Sequence, residues 1–269
     1  MSSPRIRTEP GSPARTPAGT ATVDDFLGGR ISVVQQQAGH RAGSDAVWLA
    51  AAVPALAGEH VLDAGAGVGV AGLCLLARLP EVRVTAVEID AGLCALAATN
   101  AARNAVAGRF SVVEADVTAP AKALTAKGLM REGYAQVIAN PPFHFAGTVR
   151  PAPDRGRASA HVMGEGALDD WVRFLAAFAA PKGRLTLIHR PESLTMLLSL
   201  LERRFGDIMV FPLFPRVGLP ATRIILQGRK GSRGGLTLLP GLVLHDADGR
   251  YTDAAEAVLR SGEALRLEA

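Results

Sequence analysis

His60-Val61-Leu62-Asp63-Ala64-Gly65-Ala66-Gly67-Val68-Gly69 is the stretch on which the fold turns. It opens as a short β-rich run and ends in alternating glycines, which let a backbone turn sharply and approach a ligand closely. An Ala/Leu-rich helical pattern over 70–79 follows, so the piece reads as strand, turn and helix. The next β-rich run, Val82 to Glu88, leads through Ile89 and Asp90 into a helical pattern over 91–103, and Asp90 can cap its first turn. Strand and helix then keep alternating. Phe110–Glu114, Ala135–Ala139, Arg184–Ile188, Ile208–Phe211 and Arg223–Leu226 read as strands. Residues 168–179 and 192–204 carry apolar positions at helical spacing. This alternation predicts an α/β fold built on a doubly wound, mostly parallel sheet.

Upstream, Ser44 to Val53 reads as a helix, opened by Ser44 or Asp45 and stopped by Pro54. Residues 1–22 are rich in Pro, Ser, Thr, Gly and Ala and are expected to be a disordered tail. Residues 23–269 are expected to form one domain, with a helical lead-in segment over 23–56 and a sheet core over 57–230. Residues 236–244 are apolar and turn-rich and finish the fold. Hydrophobic residues make up 48% of the chain and aromatics 5%, so the core must be filled by Ala, Val and Leu, which suits buried parallel strands.

A formal charge of +4 and a pI near 9.5 are compatible with a nucleic-acid partner, and with many small-molecule enzymes as well. Cys74 and Cys94 both fall in apolar helical stretches and read as buried, reduced thiols. No Cys/His cluster has metal spacing, so no metal is expected. No apolar run reaches the roughly 18 residues that span a bilayer, and no signal-peptide core is seen. A cytoplasmic protein without a membrane partner is the expectation.

The glycine turn and Glu88 together read as an adenosine site at the carboxyl edge of the sheet. Gly65, Gly67 and Gly69 admit close approach, and an acid ending the second strand can accept from both ribose hydroxyls. Gly67, Gly69 and Gly72 also fit a dinucleotide pattern, which alone suggests an NAD(P)-dependent oxidoreductase. Asp63 argues against that, because a carboxylate there repels pyrophosphate yet suits the cationic end of S-adenosylmethionine. Asp116, after the third strand, is placed to accept from an adenine amine, or else to cap the turn before Pro120. Ile89 and Val117, next in the chain after the two acids, belong to the same expected pocket.

The fourth strand runs into Asn140-Pro141-Pro142-Phe143-His144. Successive prolines stiffen the backbone and offer no N–H donors, which leaves the local carbonyls free. The Asn140 side-chain oxygen and the Pro141 carbonyl can accept both hydrogens of a planar amine, while Phe143 stacks on the ring that bears it. His144 can contact substrate or simply cap the loop.

These residues together resemble the class I methyltransferases of the Asn-Pro-Pro-aromatic type, over roughly residues 23–260. Within that group the chain looks most like the bacterial tRNA(Val) adenine-N6 methyltransferases. The resemblance implies S-adenosylmethionine as cofactor, RNA (a tRNA) as partner, and catalysis by Asn140, Pro141, Pro142 and Phe143. It implies a seven-stranded sheet of order 3-2-1-4-5-7-6 with the last strand antiparallel. Three stretches carry it further. In Gln36-Gln37-Ala38-Gly39-His40-Arg41-Ala42-Gly43-Ser44-Asp45, the likeness sets Arg41, Ser44 and Asp45 against the methionine end of the cofactor. Asp169-Asp170-Trp171 opens the helix before the fifth strand, and Pro220-Ala221-Thr222-Arg223 leads into the last one. Phe143-His144 departs from the Tyr often found in the adenine enzymes and resembles guanine-N2 rRNA methylases, which keeps a guanine amine, and a protein glutamine amide, open as acceptors.

Arg150, Arg155 and Arg157 follow the catalytic turn and can meet phosphates beside a flipped base. Arg229, Lys230 and Arg233 form a second basic cluster, and His189-Arg190-Pro191 ends the fifth strand on the edge of the expected site.

Overall fold

A computed structural model describes residues 21–37, 41–143 and 167–267. Long apolar runs become strands buried on both faces. These are β3 (His60–Ala64), β4 (Arg83–Glu88), β6 (Tyr134–Ala139) and β7 (Ala179–His189). Their side chains alternate between two cores. Val61, Val84, Ala86, Ile138 and Ile188 face one; Leu62, Ala64, Val87, Val137 and Leu187 face the other. The first core is closed by α1 (Ser44–Ala52), α2 (Val70–Arg78), α3 (Ala91–Arg103) and α7 (Asp253–Ser261). The second is closed by α4 (Ala121–Ala126), α5 (Ala167–Phe178) and α6 (Leu194–Leu201).

With β5 (Phe110–Glu114), β8 (Phe205–Phe214) and β9 (Arg223–Lys230), the sheet runs β5-β4-β3-β6-β7-β9-β8. This is the expected order 3-2-1-4-5-7-6, and β9 is antiparallel to both β7 and β8. Two short strands, β10 (Leu236–Leu238) and β11 (Leu242–Val243), add to the outer side of β8 in parallel, so the sheet has nine strands rather than seven. They are too short to show a period of two.

The lead-in segment holds a β-hairpin, not helix alone. β1 (Ala21–Phe26) and β2 (Ile31–Gln36) pair antiparallel around a tight turn at Leu27–Gly29, where Gly28 and Gly29 have φ of 64° and 90°. The first strand thus starts within the stretch expected to be a tail. Ile31, Val33 and Gln35 turn inward, and Asn100 and Asn104 of α3 supply the strand's missing neighbour. Asp90 caps α3 by accepting from the Leu93 N–H, as its position implied. Cys74 and Cys94 are free and buried, and burial pushes their thiols up to about 12 and about 11.

Trp48, 1% exposed, is among the largest side chains in the first core and lies on α1, which leads into the site edge. Trp48→Ala is expected to cost about 3–5 kcal/mol through lost burial and the cavity left behind. Urea unfolding at neutral pH would measure it; a loss below about 1 kcal/mol would show that α1 is not part of the cooperative core.

Candidate functional site at the carboxyl edge of the sheet

Strand register brings the site together. Ala64 of β3 lies opposite Val87 of β4 on one side and Ala139 of β6 on the other. Ala139 in turn lies opposite Leu187 of β7. One residue further along, Gly65, Glu88 and Asn140 emerge side by side, with about 4.8 Å between neighbouring strands. On β9 the chain direction reverses, so its first residue, Arg223, reaches the same edge next to His189.

The glycine turn is built from left-handed backbone. Gly65, Gly67 and Gly69 have φ of 64°, 57° and 90°. A Cβ on Gly65 would sit 2.3 Å from the ring of Trp171, whereas one on Gly67 would meet nothing within 4 Å. The first glycine is therefore demanded by packing from α5 below, and the middle one leaves open space above. Gly72, which completed the dinucleotide pattern, is accounted for by packing as well: a Cβ there would lie 2.8 Å from Phe110 and 2.9 Å from Val84.

Two carboxylates anchor the turn. Glu88, largely buried, accepts from the Gly67 N–H at 2.8 Å through Oε2 and from the Ile89 and Asp90 N–H groups through Oε1. Asp63, 2% exposed, accepts from the Gly72 N–H at 3.1 Å. Burial raises the Asp63 pKa to about 7, the Gly72 N–H opposes the rise, and the charge of Glu88 adds to it. Asp116 is half-buried, and its Oδ1 accepts from both the N–H and the hydroxyl of Thr118. It thus caps its turn, one of the two roles its position allowed. Val117 packs beside it on the second core.

At Asn140 the side-chain oxygen is buried and has no hydrogen-bond partner among the described residues. Three residues on, Phe143 is held on several sides. The His189 ring stands edge-on to it at 5.0 Å and 86°. The guanidinium groups of Arg223 and Arg190 lie over its ring at 5.0 and 5.6 Å from the centroid. Arg223 is itself fixed by Asp45, whose Oδ2 accepts from Nε at 2.8 Å. His189 is fully buried, and neither ring nitrogen has a hydrogen-bond partner of good geometry among the described residues. Burial lowers its pKa, the nearby backbone of Arg190 and Pro142 opposes the fall, and the charges of Arg190 and Arg223 add to it.

The other expected site residues divide. Arg41 is engaged on the hairpin, where it pairs with Asp24 and donates to the Thr22 hydroxyl. Ser44 is exposed and lines a cleft of about 520 Å³ between the hairpin, α1 and α7, away from the glycine turn. His144, Arg150, Arg155 and Arg157 lie outside the described residues. The basic cluster at Arg229 and Lys230 sits at the opposite end of the sheet: Arg229 pairs with Arg184, five residues or about 16 Å from His189. Lys230 is also bonded to Glu132 and to the Ala179 carbonyl. This cluster is therefore not beside the Asn140 corner. Arg223 and Trp171, which stand in the stretches Pro220–Arg223 and Asp169–Trp171 but take no site role from sequence, both border this edge, against Phe143 and Gly65.

The model of the methyltransferase small domain matches residues 41–152. Among curated proteins, the tRNA1(Val) (adenine(37)-N6)-methyltransferase of Dickeya chrysanthemi is 27% identical over 85% of this chain and 89% of its own length. The enzyme of that name from Porphyromonas gingivalis is 31% identical over 61% of this chain and 64% of its own. Among solved structures, a predicted O-methyltransferase from Agrobacterium tumefaciens superposes with a TM-score of 0.72 at 30% identity, covering 84% of this chain and 100% of that one.

The buried Asp63 gives a pH test. Folding favours its neutral form, so the stability it contributes is full below the ordinary carboxylate value of 3.8 and is lost as pH rises to about 7. Asp63→Asn is expected to flatten that loss. Melting temperatures at pH ~5 and ~8 should differ less in the variant than in the wild type, and an equal difference would overturn the assignment.

Proposed function

We propose that this chain, which belongs to the S-adenosylmethionine-dependent methyltransferases, methylates the exocyclic N6 of an adenine in tRNA. The observation that carries the reading is the Asn140 oxygen, an acceptor buried without a partner among the described residues, where β6 ends beside the glycine turn. A buried acceptor left unsatisfied costs about 1–3 kcal/mol, which a bound donor recovers. The substrate class rests on the curated relatives, whose names specify adenine-N6 of a tRNA.

The residues present fit the cofactor. Gly65, Gly67 and Gly69 let the backbone approach it, Glu88 offers carboxylate oxygens to the ribose hydroxyls, and Asp63 stands behind the turn as a buried carboxyl that accepts from the Gly72 N–H. Ile89, Asp116 and Val117 are assigned to the adenine side, where Asp116 Oδ2 is left over from the cap that Oδ1 makes. Asp45 and Ser44 open α1, and Arg41 steadies the segment before it. When bound, S-adenosylmethionine supplies a methyl group already activated by a sulfonium charge.

The chain's own work is therefore alignment. An aromatic amine is a poor nucleophile because its lone pair is shared with the ring. The Asn140 oxygen and the Pro141 carbonyl accept its two hydrogens, which localises the lone pair on nitrogen and points it at the cofactor side of the edge. Pro141 and Pro142 hold that corner stiff. Phe143, braced by His189 and Arg223, gives the base a face to stack on. The proton leaves after transfer, so no strong base is needed. His144, Arg150, Arg155 and Arg157 are assigned to the RNA strand from their sequence position alone. A hydroxyl acceptor, for which the Agrobacterium tumefaciens protein is named, has one hydrogen for two acceptors and fits this corner less well.

We place the enzyme in the cytoplasm with its substrate. No helix among the described residues is long and apolar enough to cross a membrane.

Mass spectrometry of nucleosides in tRNA from cells with and without the gene tests the reading. Loss of N6-methyladenosine is expected; loss of N2-methylguanosine in rRNA or of methylglutamine in protein would move the acceptor, and no change in any would reject the substrate class. Asn140→Ala is expected to lower kcat by about 100-fold or more while S-adenosylhomocysteine affinity stays within a few-fold. Phe143→Tyr should retain turnover, whereas Phe143→Leu should weaken RNA binding by about 1–3 kcal/mol, read as KM for RNA at saturating cofactor.

A further inference from the structure

Asn100 and Asn104 stand one turn apart on α3 and treat β2 as a neighbouring strand would. The Asn104 oxygen accepts from the Ser32 N–H at 2.9 Å, and its Nδ2 donates to the Ser32 carbonyl at 2.8 Å. The Asn100 oxygen accepts from the Val34 N–H at 2.8 Å, and its Nδ2 donates to the Val34 carbonyl at 3.1 Å. Ser32 and Val34 are alternate residues, so two side-chain amides replace a β-ladder on the side of β2 that faces α3.

The two asparagines differ in their remaining hydrogen. Asn104 spends it on its own helix, at the Asn100 carbonyl. Asn100, with no exposed surface, donates it to the Val68 carbonyl at 3.1 Å. Val68 sits between Gly67 and Gly69, whose left-handed backbone has no side chain to hold it. The far side of that turn is tied by Glu88 through the Gly67 N–H. One buried amide thus joins the hairpin to the near side of the glycine turn, across sequence separations of 66 and 32 residues.

We propose that Asn100 is a positioning residue for the cofactor: it fixes the glycine turn and makes docking of the β1–β2 hairpin part of the energetics of cofactor binding. This rests on the reading of that turn as the cofactor site. The coupling must be reciprocal. A hairpin held by Asn100 favours the cofactor-ready turn, and a bound cofactor tightens the hairpin. Asn104 is a built-in control, because it contributes equally to docking and does not touch the turn.

Titration calorimetry with S-adenosylhomocysteine on the full chain, paired with thermal unfolding, tests this. Asn104→Ala is expected to lower the melting temperature and leave Kd within about two-fold. Asn100→Ala is expected to lower the melting temperature comparably and raise Kd about ten-fold or more. Asn100→Asp keeps an acceptor for the Val34 N–H but brings no N–H to Val68, and should weaken binding too. Equal effects of the two alanine variants on Kd, or none from Asn100→Ala, would overturn the proposal. Hydrogen exchange on the wild type needs no variant to fold: the cofactor product should raise protection of the Val34 amide, and unchanged protection under saturation would also overturn it. A wild-type chain that bound no S-adenosylhomocysteine would instead reject the cofactor reading itself.

Discussion

The alignment of Ala64 with Val87 and with Ala139 is the constraint on which the molecule's chemistry depends. Parallel strands have no freedom to slip here, because a shift of one residue would exchange the two cores: Leu62 would trade places with Val61, and Val137 with Ile138. Packing on both faces therefore sets where every strand stops. The glycine turn, the acid that anchors it and the proline corner reach one edge at one level as a result, although Asp63 and Asn140 are far apart in the chain. The hydrophobic pattern does the positioning, and the polar residues inherit it.

Within that edge, polar groups are fixed in chains rather than singly. Asp45 holds Arg223, Arg223 lies over Phe143, and Phe143 meets His189 edge-on. The sheet, its first helix and its antiparallel strand all converge on one aromatic ring. A ring braced in this way has little freedom left to lose, which under the proposed function lowers the ordering cost of stacking a base on it. The neutral state of His189 matters here, since a third cation beside Arg190 and Arg223 would be repelled in a buried setting.

Much of this is legible in the chain itself. Buried parallel strands are written as short β-rich runs with apolar cores, so their places in the chain and terminal motifs stand out, as does the capping role of Asp90. The hairpin does not. Asp24 and Asp25 break its apolar pattern, one of its inward positions is Gln35, and its outer partner is a pair of asparagines some 70 residues away. α7 does carry local signals: Thr252 caps its start through the Ala255 N–H, and Gly262 ends it at φ 68°. The pairing of Asp45 with Arg223 spans 178 residues and has no local trace. Arg229 and Lys230 look in sequence like any other basic cluster; only the antiparallel direction of β9 reveals which end of that strand meets the substrate edge.

The extension of the sheet by β10 and β11 has a consequence for how copies of this chain coexist at high concentration. The outer flank of β8, a ten-residue strand, would otherwise be an open edge with the N–H and C=O groups of every other residue unsatisfied, a template for stacking molecule on molecule. Two fragments of three and two residues occupy that flank and leave only short, interrupted borders of their own. Such stubs give an incoming strand too little length to zip onto, so they act as a guard against ribbon-like aggregation built from the same hydrogen bonds that hold the fold.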